Sequence, residues 1–76
     1  MKNAKSLPHE SGIYKITNLI NGHSYIGQAK DIYNRYNKHH QYDYKNEKYS
    51  TYPLYQALKK YGLSNFEIEV IELCKE

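Results

Sequence analysis

A small α+β domain is predicted from the sequence, built on a three-stranded antiparallel sheet in β-β-α-α-β order with both helices on one face. Three patterns predict it. β-Branched and aromatic residues lie on both sides of an Asn21-Gly22 pair, which reads as a hairpin. Two stretches of helical spacing follow, and a closing run alternates Phe66, Ile68 and Val70 with Glu67 and Glu69, as a strand with one apolar face does.

The hairpin strands are expected near residues 13–17 and 23–27. Tyr14 and Ile16 then share one face, and Ile13, Lys15 and Thr17 share the other. Gly27 ends the second strand, where it permits a turn or a close backbone approach. Asp31 can cap a helix of about three turns over residues 31–40, whose Ile32 and Tyr36 should meet the sheet with His39 and His40 near the same flank. Arg35 and His39 are four apart and so neighbours on that helix. Residues 41–50 read as a polar connector. A second helix is expected over residues 52–61, with Thr51 as cap, Pro53 in the first turn and Gly62 as the stop. Its inward residues should be Leu54, Leu58 and Tyr61, with Lys59 and Lys60 outward. Residues 1–11, interrupted by Pro8, read as a flexible lead-in, and residues 12–76 as the domain.

A chain of 76 residues makes one domain, and at this size only about 60% of the unfolded surface is buried, which leaves a thin core. The single cysteine, Cys74, excludes an internal disulfide and a cysteine-based zinc site. No apolar run approaches the roughly 18 residues of a membrane span, and no signal-peptide core follows the first lysines. An intracellular, cytoplasmic protein without a membrane partner is the expectation.

The net charge of +3 is modest, but it is unevenly spread. Residues 1–65 carry 10 Lys/Arg against 4 Asp/Glu, whereas residues 66–76 carry 1 Lys against 4 Glu. A polyanion would meet the first part and avoid the last, if the fold separates them. Lys30, Arg35, Lys38 and His40 are the candidate nucleic-acid contacts. Ten tyrosines add side chains that pack in a core, stack on a base or donate to a phosphate.

One constellation is more specific. Gly12-Ile13-Tyr14, ten intervening residues, Tyr25-Ile26-Gly27, then Arg35 and His39 at fixed distances beyond resemble the GIY-YIG endonuclease superfamily. Within it, the chain is most similar to the nuclease domains of intron-encoded, phage-type homing endonucleases, and the resemblance extends through Tyr61-Gly62 and Asn65-Phe66. It implies DNA as the partner and phosphodiester hydrolysis as the reaction. It also implies that Tyr14 and Tyr25 lie side by side in a shallow site, that Arg35 holds the scissile phosphate and that His39 assists by hydrogen bonding or proton transfer.

Those roles have independent chemical sense. Hydrolysis develops negative charge on phosphoryl oxygens, which Arg35 can meet with paired donors. A tyrosinate at neutral pH costs roughly 4 kcal/mol against an ordinary pKa of about 10, so Tyr14 or Tyr25 needs cations such as Arg35, Lys30 or a metal nearby. His39 has the best intrinsic pKa for proton transfer. Outside the motif, the same tyrosines read as strand packing, Arg35 as a surface partner of Asp31 and His39 as a surface histidine.

The resemblance also implies Mg²⁺ or Mn²⁺, held by a glutamate on a helix after the third strand. Glu67, Glu69 and Glu72 fall in or beside that strand and Glu76 is terminal, so no metal ligand is assigned and the domain is expected to be truncated at its C-terminus. A DNA-binding module would then lie in the missing C-terminal region. A non-catalytic nucleic-acid-binding module on the same fold is the alternative.

Overall fold

Strand β1 (Gly12–Asn18) lies between β2 (Ser24–Ala29) and β3 (Phe66–Leu73) and runs antiparallel to both. This computed structural model describes residues 1–49 and 51–74. The predicted β-β-α-α-β order and the three-stranded sheet are what it contains. The hairpin turn is wider than an Asn-Gly pair alone. Asn18 N–H donates to the His23 carbonyl at 2.8 Å, and Gly22 N–H to the Asn18 carbonyl at 2.8 Å. The Asn18 and Asn21 side chains each accept a backbone N–H two residues on, at 2.9 Å. Gly22 sits at φ 79°, a conformation that other residues adopt at a cost.

The inner face of the sheet carries the core. Ile16, Phe66 and Ile68 are fully buried, Tyr14 nearly so, and the burial of β1 alternates residue by residue. On the outer face, Lys15 lies 3.8 Å from Glu69, an exposed pair of little energetic weight. Toward β3 the register slips by one residue, since Ile13 faces Glu72 while Tyr14 faces Val70. That bulge brings Gly12 against β3, where a Cβ would overlap the Glu72 carbonyl oxygen. The first glycine of the motif is therefore a backbone-packing requirement of the sheet.

Helix α1 is one continuous rod of three stretches, Ile32–Asn34, Arg35–His40 and Gln41–Asp43, of which the middle one is π-helical. Asp31 caps it as expected, accepting Asn34 N–H at 2.9 Å. The rod runs past residue 40, so the start of the polar connector is helical. Helix α2 (Pro53–Tyr61) begins with proline and stops at Gly62, whose N–H reaches the Leu58 carbonyl at 2.9 Å. Thr51 does not cap it. The N-cap position is Tyr52, with no side-chain cap bond. Leu58 is fully buried beside Tyr55 and Ala57, Leu54 and Tyr61 pack at the core's margin, and Lys59 and Lys60 face solvent.

The lead-in corrects an expectation. Residues 1–11 do not trail from the domain as a flexible segment. Lys2 pairs with the edge of β3, its N–H donating to the Phe66 carbonyl at 3.0 Å and its carbonyl accepting from Ile68 at 3.2 Å. A 3₁₀ turn (Ala4–Ser6) follows, and Ala4 and Leu7 are buried in the core. The Pro8 and Glu10 carbonyls accept the Tyr33 and Ile32 N–H groups, each at 3.0 Å, satisfying donors that a helix start leaves open. Asn37 ties the other end, donating to the Ala4 carbonyl at 3.1 Å. A polar, proline-broken sequence suggested mobility because its two apolar anchors, Ala4 and Leu7, are too few to establish a periodic pattern.

Leu7→Ala should accordingly lower stability by about 2 kcal/mol or more, read from the midpoint of urea unfolding. An unchanged midpoint would mean that the segment is not docked.

Candidate active site

The sheet brings Tyr14 and Tyr25 to neighbouring strands on its inner face. Tyr14 stands opposite Gly27, and Tyr25 opposite Ile16, so the two tyrosines are diagonal neighbours. The ring of Tyr14 lies across β2 at Gly27, where a Cβ would come within 2.5 Å of the ring Cζ and 2.6 Å of the hydroxyl. Gly27 therefore holds open the space that the Tyr14 hydroxyl crosses. Gly12 and Gly27 serve the backbone and Tyr14 and Tyr25 face inward, whereas Ile13 is half-buried on the outer face and Ile26 is 67% exposed there.

Helix α1 supplies the third group, and it is not the expected histidine. His40 is buried with its Nε2 2.7 Å from the Tyr14 hydroxyl and its Nδ1 2.7 Å from the Tyr55 hydroxyl. The His39 side chain is 61% exposed, with Nδ1 4.0 Å from Asp43 Oδ2 on the helix surface. The π-helical stretch explains the exchange. Gln41 N–H reaches back to the Tyr36 carbonyl, five residues away, and such a turn takes more residues than an α turn. The residue four beyond Tyr36 then stays above it, and the residue three beyond swings outward. Ile32, Tyr36 and His40 form the inner line, all buried. His39, expected at the catalytic position, lies outside the tyrosine cleft, and His40, expected as a nucleic-acid contact, lies within it.

Tyr14, Tyr25 and His40 line a cleft of about 470 Å³ with Ser24, Gly27 and Tyr52. Arg35 and Lys30 border a second depression of about 440 Å³ with Asp31, Asn34 and His39, at the junction of β2 and α1. Arg35 is exposed there and does not pair with Asp31, whose carboxylate instead takes Asn34 N–H and lies 3.0 Å from His9 Nδ1. Lys30 and Lys38 are also exposed.

The electrostatics of the cleft follow from burial. Loss of water pushes the Tyr14 phenol above its ordinary pKa, while the positive field of Arg35 pulls it back. Burial, reinforced by Arg35 and His39, lowers His40 to about 4. His40 is therefore a neutral imidazole at pH 7, with one donor and one acceptor nitrogen. Each faces a phenol, so both are satisfied.

Among the described residues, no three His, Cys, Asp or Glu side chains converge on a metal position. The tyrosine cleft offers phenols and an imidazole but no carboxylate, and hard divalent cations require carboxylate or carbonyl oxygens. The tyrosine cleft thus does not fit a resident Mg²⁺ or Mn²⁺, and in the depression beside Arg35 the one carboxylate, Asp31, is engaged by Asn34 and His9. Glu67 and Glu69 lie across the sheet from the cleft, Glu72 is exposed on β3, and Glu76 lies outside the described residues.

Tyr55 was not legible as part of this site. His40 follows Ile32 and Tyr36 at intervals of four, a signal that pointed to it without excluding His39. Paired tyrosines on a small antiparallel sheet, with an imidazole and a guanidinium from the following helix, define a catalytic-domain scaffold. The GIY-YIG catalytic domain model matches residues 10–76, and the chain belongs to that family. It is 42% identical over 60 residues to a Neurospora crassa protein named "Probable intron-encoded endonuclease 1", an alignment covering 79% of this chain and 18% of that protein. The chain therefore spans less than a fifth of its relative's length. No solved structure matches it.

Folded His40 protonates at about 4, whereas in the unfolded chain the value is about 6.5. The unfolded state binds more protons between these values, so this contribution is complete above pH of about 6.5 and is lost as pH falls toward about 4. Urea unfolding should show a loss of up to about 3 kcal/mol across that window. His40→Gln should flatten the slope; an equal slope in the variant would refute burial of the neutral ring. Gly27→Ala should cost about 1–3 kcal/mol through overpacking against Tyr14, and unaltered unfolding would mean that the ring does not cross β2 there.

Proposed function

We propose that this domain hydrolyses phosphodiester bonds in DNA as the nuclease part of an intron-encoded type of endonuclease, acting inside the cell. The observation that carries the reading is the Tyr14 hydroxyl bonded to a buried, neutral His40 within a cleft that also contains Tyr25. A free tyrosinate is an expensive base, and burial makes it more so. Coupled transfer avoids it: water gives a proton to the Tyr14 oxygen while the Tyr14 proton passes to His40 Nε2, and the hydroxide attacks phosphorus as the bond to the leaving sugar oxygen breaks. That oxygen takes a proton from solvent water, and His40 returns its proton to solvent. An arriving phosphodiester brings negative charge beside His40, which raises its proton affinity at the step that needs it. Arg35, whose charge acts on both Tyr14 and His40, and Lys30 beside it are the groups that would hold the phosphoryl oxygens. Tyr25 supplies a second hydroxyl to orient the water or phosphate.

The proposed enzyme uses Mg²⁺ or Mn²⁺, with carboxylate ligands outside the described residues. The proton transfers through Tyr14 and His40 do not involve the ion. The absence of a carboxylate from the tyrosine cleft favours one alternative, a nucleic-acid-binding module that retains the fold without the reaction.

Nicking of supercoiled plasmid at low salt with Mg²⁺ or Mn²⁺, and with a chelator control, separates the two. Metal-dependent nicking by the chain would support the endonuclease, and Arg35→Ala should then be slower by about 10²–10³-fold, and His40→Gln by about 10²-fold or more. His39→Ala should retain most of the activity. No nicking by the folded chain, with salt-sensitive DNA binding retained, would replace the endonuclease reading with the binding module. Full activity in His40→Gln with loss in His39→Ala would reverse the assignment of the two histidines.

A further inference from the structure

We infer that Tyr55 is a positioning residue, holding His40 as the Nδ1–H tautomer so that Nε2 is free to receive the Tyr14 proton. The inference rests on the endonuclease reading for its purpose, but its geometry stands on its own. Both nitrogens of His40 face phenol oxygens at 2.7 Å, and a neutral imidazole can donate from only one of them. The hydrogen-bond chain must therefore run in one of two directions. If Tyr55 donates to Nδ1, Nε2–H points at the Tyr14 oxygen, and Nε2 has no lone pair for a proton from Tyr14. If Nδ1–H donates to Tyr55, Nε2 accepts the Tyr14 hydroxyl, as coupled transfer requires. Either phenol can donate or accept; on this inference Tyr55 takes the acceptor role, which places the ring proton on Nδ1.

Tyr55 is well placed for the task. It is buried and projects from α2, an element separate from both the Tyr14 strand and the His40 helix. Its ring meets His40 edge-on at a centroid distance of 5.5 Å, and Tyr52 stacks on it at 5.5 Å and 26°. The phenol oxygen is thus held by packing on more than one side. When His40 receives the Tyr14 proton, Nδ1–H stays bonded to the Tyr55 oxygen, and no second proton moves. Tyr55 itself is not placed to touch the reacting phosphate; it lies behind His40 as seen from Tyr14.

The tautomer is read directly from the ¹⁵N shifts of the His40 ring in the DNA-free chain near neutral pH. Wild type should show a protonated Nδ1 and an unprotonated Nε2, and Tyr55→Phe should shift the ring toward the Nε2–H form. In single-turnover cleavage, the same variant should lose at least about tenfold, short of the roughly 10⁴-fold cost of a wrong histidine tautomer in a serine-protease triad, with DNA affinity unchanged. Wild-type His40 in the Nε2–H form, or an unaltered tautomer in Tyr55→Phe, would overturn the assignment. If Tyr55→Phe does not fold, Tyr14→Phe decides: retention of Nδ1–H shows that Tyr55 sets the tautomer, and its loss shows that Tyr14 does. The spectrum requires neither DNA nor turnover, so a chain without nuclease activity would still reveal whether Tyr55 sets the tautomer.

Discussion

The buried hydrogen bond between the Tyr14 hydroxyl and His40 Nε2 joins the sheet to helix α1, and much of the rest of the molecule is arranged around it. Burying two polar groups costs free energy unless they bond, so the strand, the helix and the space between them must agree closely. On the strand side, Gly27 leaves room for the Tyr14 ring. On the helix side, the π-helical stretch turns His40 inward over Tyr36. Behind both, Tyr55 satisfies the second imidazole nitrogen. Removing any one of these leaves a buried donor or acceptor without its partner, which costs more than the bond itself contributes.

The same arrangement separates charge by function. The inner face places a neutral imidazole beside the buried Tyr14 phenol, whose burial disfavours its charged form. The permanent cations Lys30 and Arg35 border a separate depression at the β2–α1 junction, exposed, where their solvation is retained. The glutamates of β3 project from the opposite face, beside Lys15. The uneven charge of the sequence becomes a two-sided molecule because side chains of a strand alternate and the helices cover one face only.

The alternating runs of β1 and β3, the Asp31 cap, the Pro53 start and the Gly62 stop were legible as local signals, and each depends only on neighbouring residues. So was the glycine-tyrosine motif with Arg35 beyond it. The docked lead-in was not, because Ala4 and Leu7 bury against strands and helices distant in the chain, and no short-range pattern marks such a contact. Thr51 looked like a cap but is displaced by one residue, since the packing of Tyr55 and Leu58 sets where the helix begins.

The histidine pair shows where the division lies. The sequence by itself determined that a helix with two adjacent imidazoles would follow a tyrosine-bearing hairpin, and that one imidazole would fall near Tyr14. At α-helical spacing, positions 39 and 40 straddle the inner line, so local rules leave the choice open. Tertiary structure decided it: Tyr36 packs in the core, the helix widens beneath it, and His40 finds two phenols while His39 turns to water. The tautomer of His40 is a further step removed from sequence, because it depends on a hydroxyl brought from another helix into the same buried space.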